Sequence, residues 1–226
     1  MKNITKYRRK MSNKKVPEST ISRLFLYLRE ITELAKINIK TISSSELGDR
    51  TNLGDAQVRK DLGYFGQFGV TGAGYSIADL KKSLEKILGK DKKWNVALIG
   101  TGHLGTALLA YSGFGRHELD IVAAFDADAK KIGKKFGDIT VRPISELEKL
   151  TKEKNITLSI IAVPAAEAQG VAETIIKAGI ECILNFAPVS LNVPEGVKVR
   201  NVDFSRELEI LSYFAANKGN GRETLK

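Results

Sequence analysis

Along the first ninety residues, apolar side chains recur at helical rather than alternating spacing. Ile21, Leu24, Phe25, Leu28, Ile31 and Leu34 fall near a 3.6-residue period. They follow Pro17, which suits the first turn of a helix because it has no amide hydrogen to leave unbonded. Ser43 and Glu46 have the S-x-x-E spacing of a capping box and open a short second helix through about Arg50. Asn52-Leu53-Gly54 breaks that helix, and Asp55 is expected to cap a third. In the third, Val58, Leu62 and Phe65 recur at i, i+4 and i+7 and are expected to face a core, which turns Gln57, Arg59, Lys60 and Tyr64 outward. The second and third helices read as a helix-turn-helix. The stretch from Gly66 to Tyr75, in which glycines punctuate short apolar pieces, predicts a two-stranded ribbon, the wing of a winged helix. Leu80, Leu84, Ile87 and Leu88 predict a further amphipathic helix ended by Gly89.

From Trp94 the pattern changes to apolar runs short enough for strands, most of them separated by helical stretches. Residues 95–99, 121–125, 139–141, 158–163, 182–186 and 197–202 read as strands, several apolar enough to be buried on both faces. That succession predicts an α/β fold, a doubly wound and mainly parallel Rossmann sheet with helices on both faces. The expected organisation is a basic tail over 1–15, a winged-helix domain over 16–89, a Rossmann domain over 90–202 and a C-terminal helix and tail over 203–226. Met11 offers a second start within the tail.

The glycines after the first of these strands sharpen the picture. Gly100-Thr101-Gly102-His103-Leu104-Gly105 is a G-x-G-x-x-G placed directly between a strand and a helix. In that setting the first glycine permits a tight turn, the second lets a pyrophosphate approach the backbone, and the third lets helix pack on strand. The helix N-terminus offers amide donors and a favourable dipole to phosphate. Asp126 ends the second strand, where a carboxylate can bond a ribose 2′-hydroxyl and repel a 2′-phosphate. NAD⁺ and NADH are therefore favoured over their phosphorylated forms, with Lys130 and Lys131 working against that preference. Two other readings stay open at this point: a merely structural turn, and a CoA- or nucleotide-binding relative of the same fold.

Composition excludes several classes. The chain has 226 residues and a formal charge of +10. Residues 1–90 carry 18 Lys and Arg against 9 Asp and Glu, whereas residues 91–226 carry 18 against 17. The excess belongs to the helix-turn-helix part and implies a polyanionic partner, nucleic acid before membrane. No apolar run approaches the roughly 18 residues of a membrane span and no signal-peptide core follows the basic start, so a cytoplasmic location is expected. The one cysteine, Cys182, is expected to be a buried core residue, and a cysteine-based zinc site is excluded within one chain. No metal site is expected. Nor is catalysis: the nucleotide fold uses up the second domain, no Tyr-x-x-x-Lys pair occurs there, and His117 is the one histidine outside the glycine loop. An NAD-dependent oxidoreductase remains the rival enzyme class. On the DNA side, Gln57 is suited to an adenine edge, Arg59 to a guanine edge or phosphate, and Lys60 to a phosphate. Arg23, Ser44 and Tyr64 complete the candidate DNA contacts; a protein-docking role for the same helices is the alternative.

The ordered set Val16-Pro17-Glu18, Ile21-Ser22-Arg23-Leu24, Val58-Arg59-Lys60-Asp61, Tyr64-Phe65-Gly66, the Gly100 loop, Ala124-Phe125-Asp126, Ala162-Val163-Pro164-Ala165, Leu184-Asn185-Phe186-Ala187-Pro188 and Leu191-Asn192-Val193-Pro194 resembles the Rex family of NADH-responsive repressors over residues 16–215. The resemblance implies a homodimer that binds an inverted-repeat operator in double-stranded DNA, free or with NAD⁺, and is released by NADH. It adds Val163, Pro164, Asn185, Phe186 and Phe204 to the glycine loop and Asp126 as cofactor contacts. It also implies that the C-terminal helix, with its stripe of Leu208, Leu211, Phe214 and Ala215, is exchanged between protomers, and that Arg29, Tyr111 and Asp203 form an interface switch. Three positions depart from the family pattern: His103 stands where asparagine is frequent, and Gln67 and Thr71 replace basic wing residues.

Overall fold

The computed structural model describes residues 16–70 and 74–218, apart from the side chains of Val70 and Arg116. The basic tail, Met11 and Thr71 lie outside the described residues. The chain divides into two compact units, Met1–Lys92 and Lys93–Lys226.

In the first unit, helix α1 (Glu18–Lys36) packs with α2 (Ser44–Thr51), α3 (Asp55–Gly63) and α4 (Ile77–Ile87). The buried stripe of α1 is Leu24, Tyr27, Leu28, Ile31 and Leu34, together with Thr20. Phe25, expected inside, is 47% exposed. One residue is 100° around a helix, so a neighbour of Leu24 points off the stripe, while Tyr27 at i+3 points along it. The capping box of α2 forms as expected: the Glu46 amide donates to Ser43 Oγ at 3.1 Å and the Ser43 amide donates to the Glu46 carboxylate at 2.8 Å. Asp55 does not cap α3. Gly54 holds the N-cap position, and Asp55 is the first helical residue, bonded instead to Arg59. Phe65, expected to face the core, packs against it while half-buried. The wing strands β2 (Gly69–Val70) and β3 (Gly74–Ser76) pair antiparallel, and β1 (Thr41–Ile42), too short to be visible in the sequence, completes a sheet of order β1-β3-β2.

The second unit is built on a seven-stranded sheet: β4 (Trp94–Ile99), β5 (Leu119–Asp126), β6 (Lys135–Phe136), β7 (Ile139–Pro143), β8 (Ile156–Ile161), β9 (Cys182–Asn185) and β10 (Lys198–Asn201), in the order β10-β9-β8-β4-β5-β7-β6. All neighbours are parallel except the β6–β7 hairpin, in which Lys135 faces Thr140. The order reverses at β4, which lies between β5 and β8, and such a switch point is where doubly wound sheets bind ligands. Helices α5 (His103–Ala110), α6 (Leu147–Glu153) and α7 (Ala165–Lys177) connect the strands. One face of the sheet carries the cluster around Ile99, Phe125, Ile161 and Ile175, the other that of Val96, Leu98 and Ile160. Strand β8 stops at Ile161, two residues earlier than expected, because the chain turns there to enter α7 at the N-cap Pro164. Cys182 is half-buried at the start of β9, not fully buried as expected; burial and the neighbouring Glu181 raise its thiol pKa, as suits an unreactive position. Helix α8 (Phe204–Ala216) closes the described chain and has no buried residue. No helix among the described residues is long and apolar enough to cross a membrane.

Candidate functional site

The glycine loop leaves β4 at the switch point, and its three glycines answer to different constraints. Gly100 has φ +97°, and a Cβ there would run into the Ala162 carbonyl. Gly105 is buried on the first turn of α5, where a Cβ would overlap the Gly100 carbonyl. Gly102 has nothing within 4 Å of where a Cβ would be. The protein's own packing therefore requires Gly100 and Gly105 but not Gly102, and a ligand lying against the backbone is what a bare residue at that place accommodates. Gly102 is also the N-cap of α5 and makes no side-chain cap, so no cap side chain competes for the amides of the first turn. These features fit a pyrophosphate. His103 and Leu104 start the helix, His103 exposed and Leu104 half-buried.

Asp126 sits beneath this loop. Its Oδ2 accepts from the Thr101 amide at 2.8 Å, the Thr101 hydroxyl at 2.7 Å and Lys131 Nζ at 3.1 Å, and its Oδ1 accepts from the Asp128 amide at 3.0 Å. Burial alone would raise its pKa, but the Asp128 and Thr101 amides, the Thr101 hydroxyl and Lys131 outweigh it and hold the carboxyl down to about 2. The carboxylate thus binds the first turn of the loop to the end of β5, and Oδ1, with one donor against three on Oδ2, retains acceptor capacity. Because the folded-state value is below the ordinary 3.8, Asp126 stabilises by about 2 kcal/mol at neutral pH, and this is lost as pH falls from about 4 towards 2. Replacing Asp126 with asparagine should lower the urea midpoint at pH 7 and leave it nearly unchanged at pH 2.

Asn185, expected to touch the cofactor, is fully buried and turned to the backbone. Its Nδ2 donates to the Ala187 and Val189 carbonyls and to Asn201 Oδ1, and its Oδ1 accepts from the Ala187 amide. It shapes the loop after β9 instead of presenting a polar group to a ligand. Phe186, next in that loop, is half-buried with its ring 6.0 Å from the exposed Phe204. Val163 and Pro164 line the entry to α7, half-buried and exposed respectively. Asp203 caps α8, accepting from the Ser205 and Arg206 amides. Tyr111 is exposed at the end of α5 with its ring edge-on to Phe114 at 5.1 Å. Arg29 lies exposed on α1, 3.6 Å from Glu30, in the other unit.

On α3, Lys60 is exposed. Arg59 is exposed as well, and its guanidinium donates to Asp55 at 2.6 Å and to Ser44 Oγ at 3.0 Å, so two of the candidate contacts are joined before any ligand arrives. Tyr64 is half-buried at the C-cap. Arg23 and Gln57 are not free. Both donate to Asp61, Arg23 from Nε at 2.5 Å and Nη2 at 2.7 Å, Gln57 from Nε2 at 2.9 Å. Asp61 went unrecognised as a functional residue; the signal was an acid on the same side of α3 as the core positions Val58 and Leu62.

The sequence model of the family described as "CoA binding domain" matches residues 91–189, and that described as "Putative DNA-binding protein N-terminus" matches residues 15–63. Among curated proteins, the redox-sensing transcriptional repressors Rex of Desulforamulus reducens and Carboxydothermus hydrogenoformans are each 48% identical over 90% of this chain, covering 97% and 98% of their own lengths. The chain belongs to the Rex family. Among solved structures, a Rex-family repressor called RSP, crystallised with β-NAD⁺ and operator DNA, matches with a TM-score of 0.85 at 36% identity, over 92% of this chain and 95% of its own. RSP in complex with β-NADH matches at 0.78 with 34% identity, over 92% and 97%. The CoA-binding match falls almost wholly within the second unit, whereas the Rex relatives span both, and those named above are named as repressors rather than enzymes.

Proposed function

We propose that the chain is a homodimeric transcriptional repressor that binds operator DNA when free or loaded with NAD⁺ and leaves it when NADH binds. The observation that carries this reading is similarity across both units to a repressor crystallised with β-NAD⁺ and operator DNA and also with β-NADH. The glycine cradle supports it, since it is open at the one glycine the protein's packing does not need.

NAD⁺ brings a cationic, planar nicotinamide and NADH a neutral, puckered one; everything else is done by this chain's residues. The α5 amides and Gly102 hold the pyrophosphate, and Asp126 Oδ1 holds a ribose hydroxyl. Phe186 and Phe204 offer an apolar face to the ring, with Asp203 fixing the start of α8. Helix α8 exposes Phe204, Leu208, Leu211 and Phe214, an apolar surface that a second copy covers. Arg29, Tyr111 and Asp203 join protomers and report the state of the ring. A ligand binding two states equally shifts nothing, so NADH must prefer the state that does not bind DNA; a 100-fold preference corresponds to about 2.7 kcal/mol. The two recognition helices must stand about 34 Å apart in the competent state, one turn of DNA. Such a regulator works in the cytoplasm beside the DNA and needs no catalytic group; His117 lies in a 3-10 turn, Gly115–His117.

The test is fluorescence anisotropy of a labelled inverted-repeat duplex bound by the purified protein, with NADH titrated at fixed total NAD(H) and NADPH as control. Release by NADH alone is expected. Tight binding indifferent to NADH would defeat the sensing reading, and steady oxidation of NADH with a small carbonyl compound would favour an oxidoreductase.

A further inference from the structure

Asp61 is fully buried on a helix whose basic side chains, Arg59 and Lys60, are exposed. It cannot touch DNA. Its carboxylate nonetheless accepts from four residues: the Thr20 hydroxyl at 3.0 Å, Arg23 through Nε and Nη2, the Tyr27 hydroxyl at 2.9 Å, and Gln57 Nε2 at 2.9 Å. Five donor contacts fill the roughly four lone-pair positions of an ionised carboxylate. Thr20, Arg23 and Tyr27 lie on α1 and tie it to α3, with Arg23 as the counter-ion that a buried charge requires. Gln57 is different. It lies on α3 itself, one turn before Asp61, half-buried between the carboxylate and the surface.

A glutamine amide that is free can present its oxygen and nitrogen in either order. Asp61 only accepts, so the atom of Gln57 facing it must be the nitrogen. One N–H is then fixed inward, and the outer edge of the amide carries Oε1 beside the remaining N–H. That acceptor-then-donor edge complements the N6 amino group and N7 of adenine in the major groove, and no other base presents the same pair. Turning the amide over would place Oε1 against a buried carboxylate.

Resting on the reading of α3 as the DNA-reading helix, we propose that Asp61 is a specificity-determining positioning residue: it fixes the Gln57 amide so that the helix reads adenine. Removing the carboxylate relaxes sequence choice rather than weakening all DNA binding alike. Asp61→Asn supplies an amide that can donate to Gln57 and so lets the glutamine turn over.

The experiment uses the full chain. A duplex is selected from a random-sequence pool by the wild-type protein, and affinities are measured for it and for every single-pair replacement, with wild type, Gln57→Ala, Asp61→Asn and the double variant. Gln57→Ala is expected to lose about tenfold discrimination at one adenine per half-site. Asp61→Asn should lose a similar factor at the same pair and little elsewhere, and should add nothing in the Gln57→Ala background. A uniform loss on every duplex, an undiminished effect in the Gln57→Ala background, or unchanged discrimination would each overturn the proposal while leaving DNA reading by α3 intact. Failure of the wild type to select any sequence would overturn both. Should Asp61→Asn not fold, Arg23→Gln/Asp61→Asn removes both charges together and takes its place. On the wild type alone, replacing the selected adenine with 7-deazaadenine removes the N7 acceptor and should cost part of what Gln57→Ala costs; no cost there overturns the proposal.

Discussion

Gly105→Ala is expected to cost the second unit at least about 3 kcal/mol, because the new methyl group would overlap the Gly100 carbonyl and neither a helix start nor a strand end can yield. NADH binding should disappear with it. Gly102→Ala is the informative companion: with nothing within 4 Å, its stability should match the wild type to within about 0.5 kcal/mol, while NADH affinity falls about 100-fold, or about 2.7 kcal/mol. Urea melts and fluorescence titration with NADH measure both. An alanine at 102 that binds NADH normally would remove the pyrophosphate from the glycine loop.

The second large effect concerns α8. Leu208 and Leu211 are 66% and 61% exposed, and no residue of the helix is buried within the chain. Leu208→Glu/Leu211→Glu therefore has no core of its own chain to disturb, and the chain should still fold, its melting midpoint falling only by what association contributed. Sedimentation should nevertheless report a monomer in place of a dimer. A monomer reads one half-site, so operator affinity should fall by about 100-fold or more through loss of the second, tethered contact. A variant that remains dimeric would assign the interface to another surface.

What the sequence discloses and what it hides follow from how far apart the partners are. The glycine loop and the capping box of Ser43 and Glu46 are local patterns, in which a handful of consecutive residues carry the whole geometry. The Asp61 cluster joins residues 34, 38 and 41 positions apart, and the Asn185 pair with Asn201 spans 16. Arg23 thus looked like a group waiting for DNA, because nothing near it in the chain announced the carboxylate that engages it, whereas the i, i+4 spacing of Gln57 and Asp61 was there to read. Strands β1 and β6 have two residues each, too few for any period to show. Tyr27, absent from the apolar pattern of α1, is buried on its stripe with its hydroxyl donating to Asp61.

Arg59 enters the free protein already joined to Asp55 and Ser44. If it engages a backbone phosphate, it must first leave Asp55. Each phosphate neutralised by a protein cation sheds a condensed ion into bulk solution, but an aspartate stripped of its arginine gathers one back. For this side chain the exchange nearly cancels. Operator affinity should then decline with ionic strength more gently, by about one ion per protomer, than the number of basic side chains at the interface implies. A repressor that used α3 in this way would lose less of its hold as cellular potassium rises than one with a surface of unpaired cations.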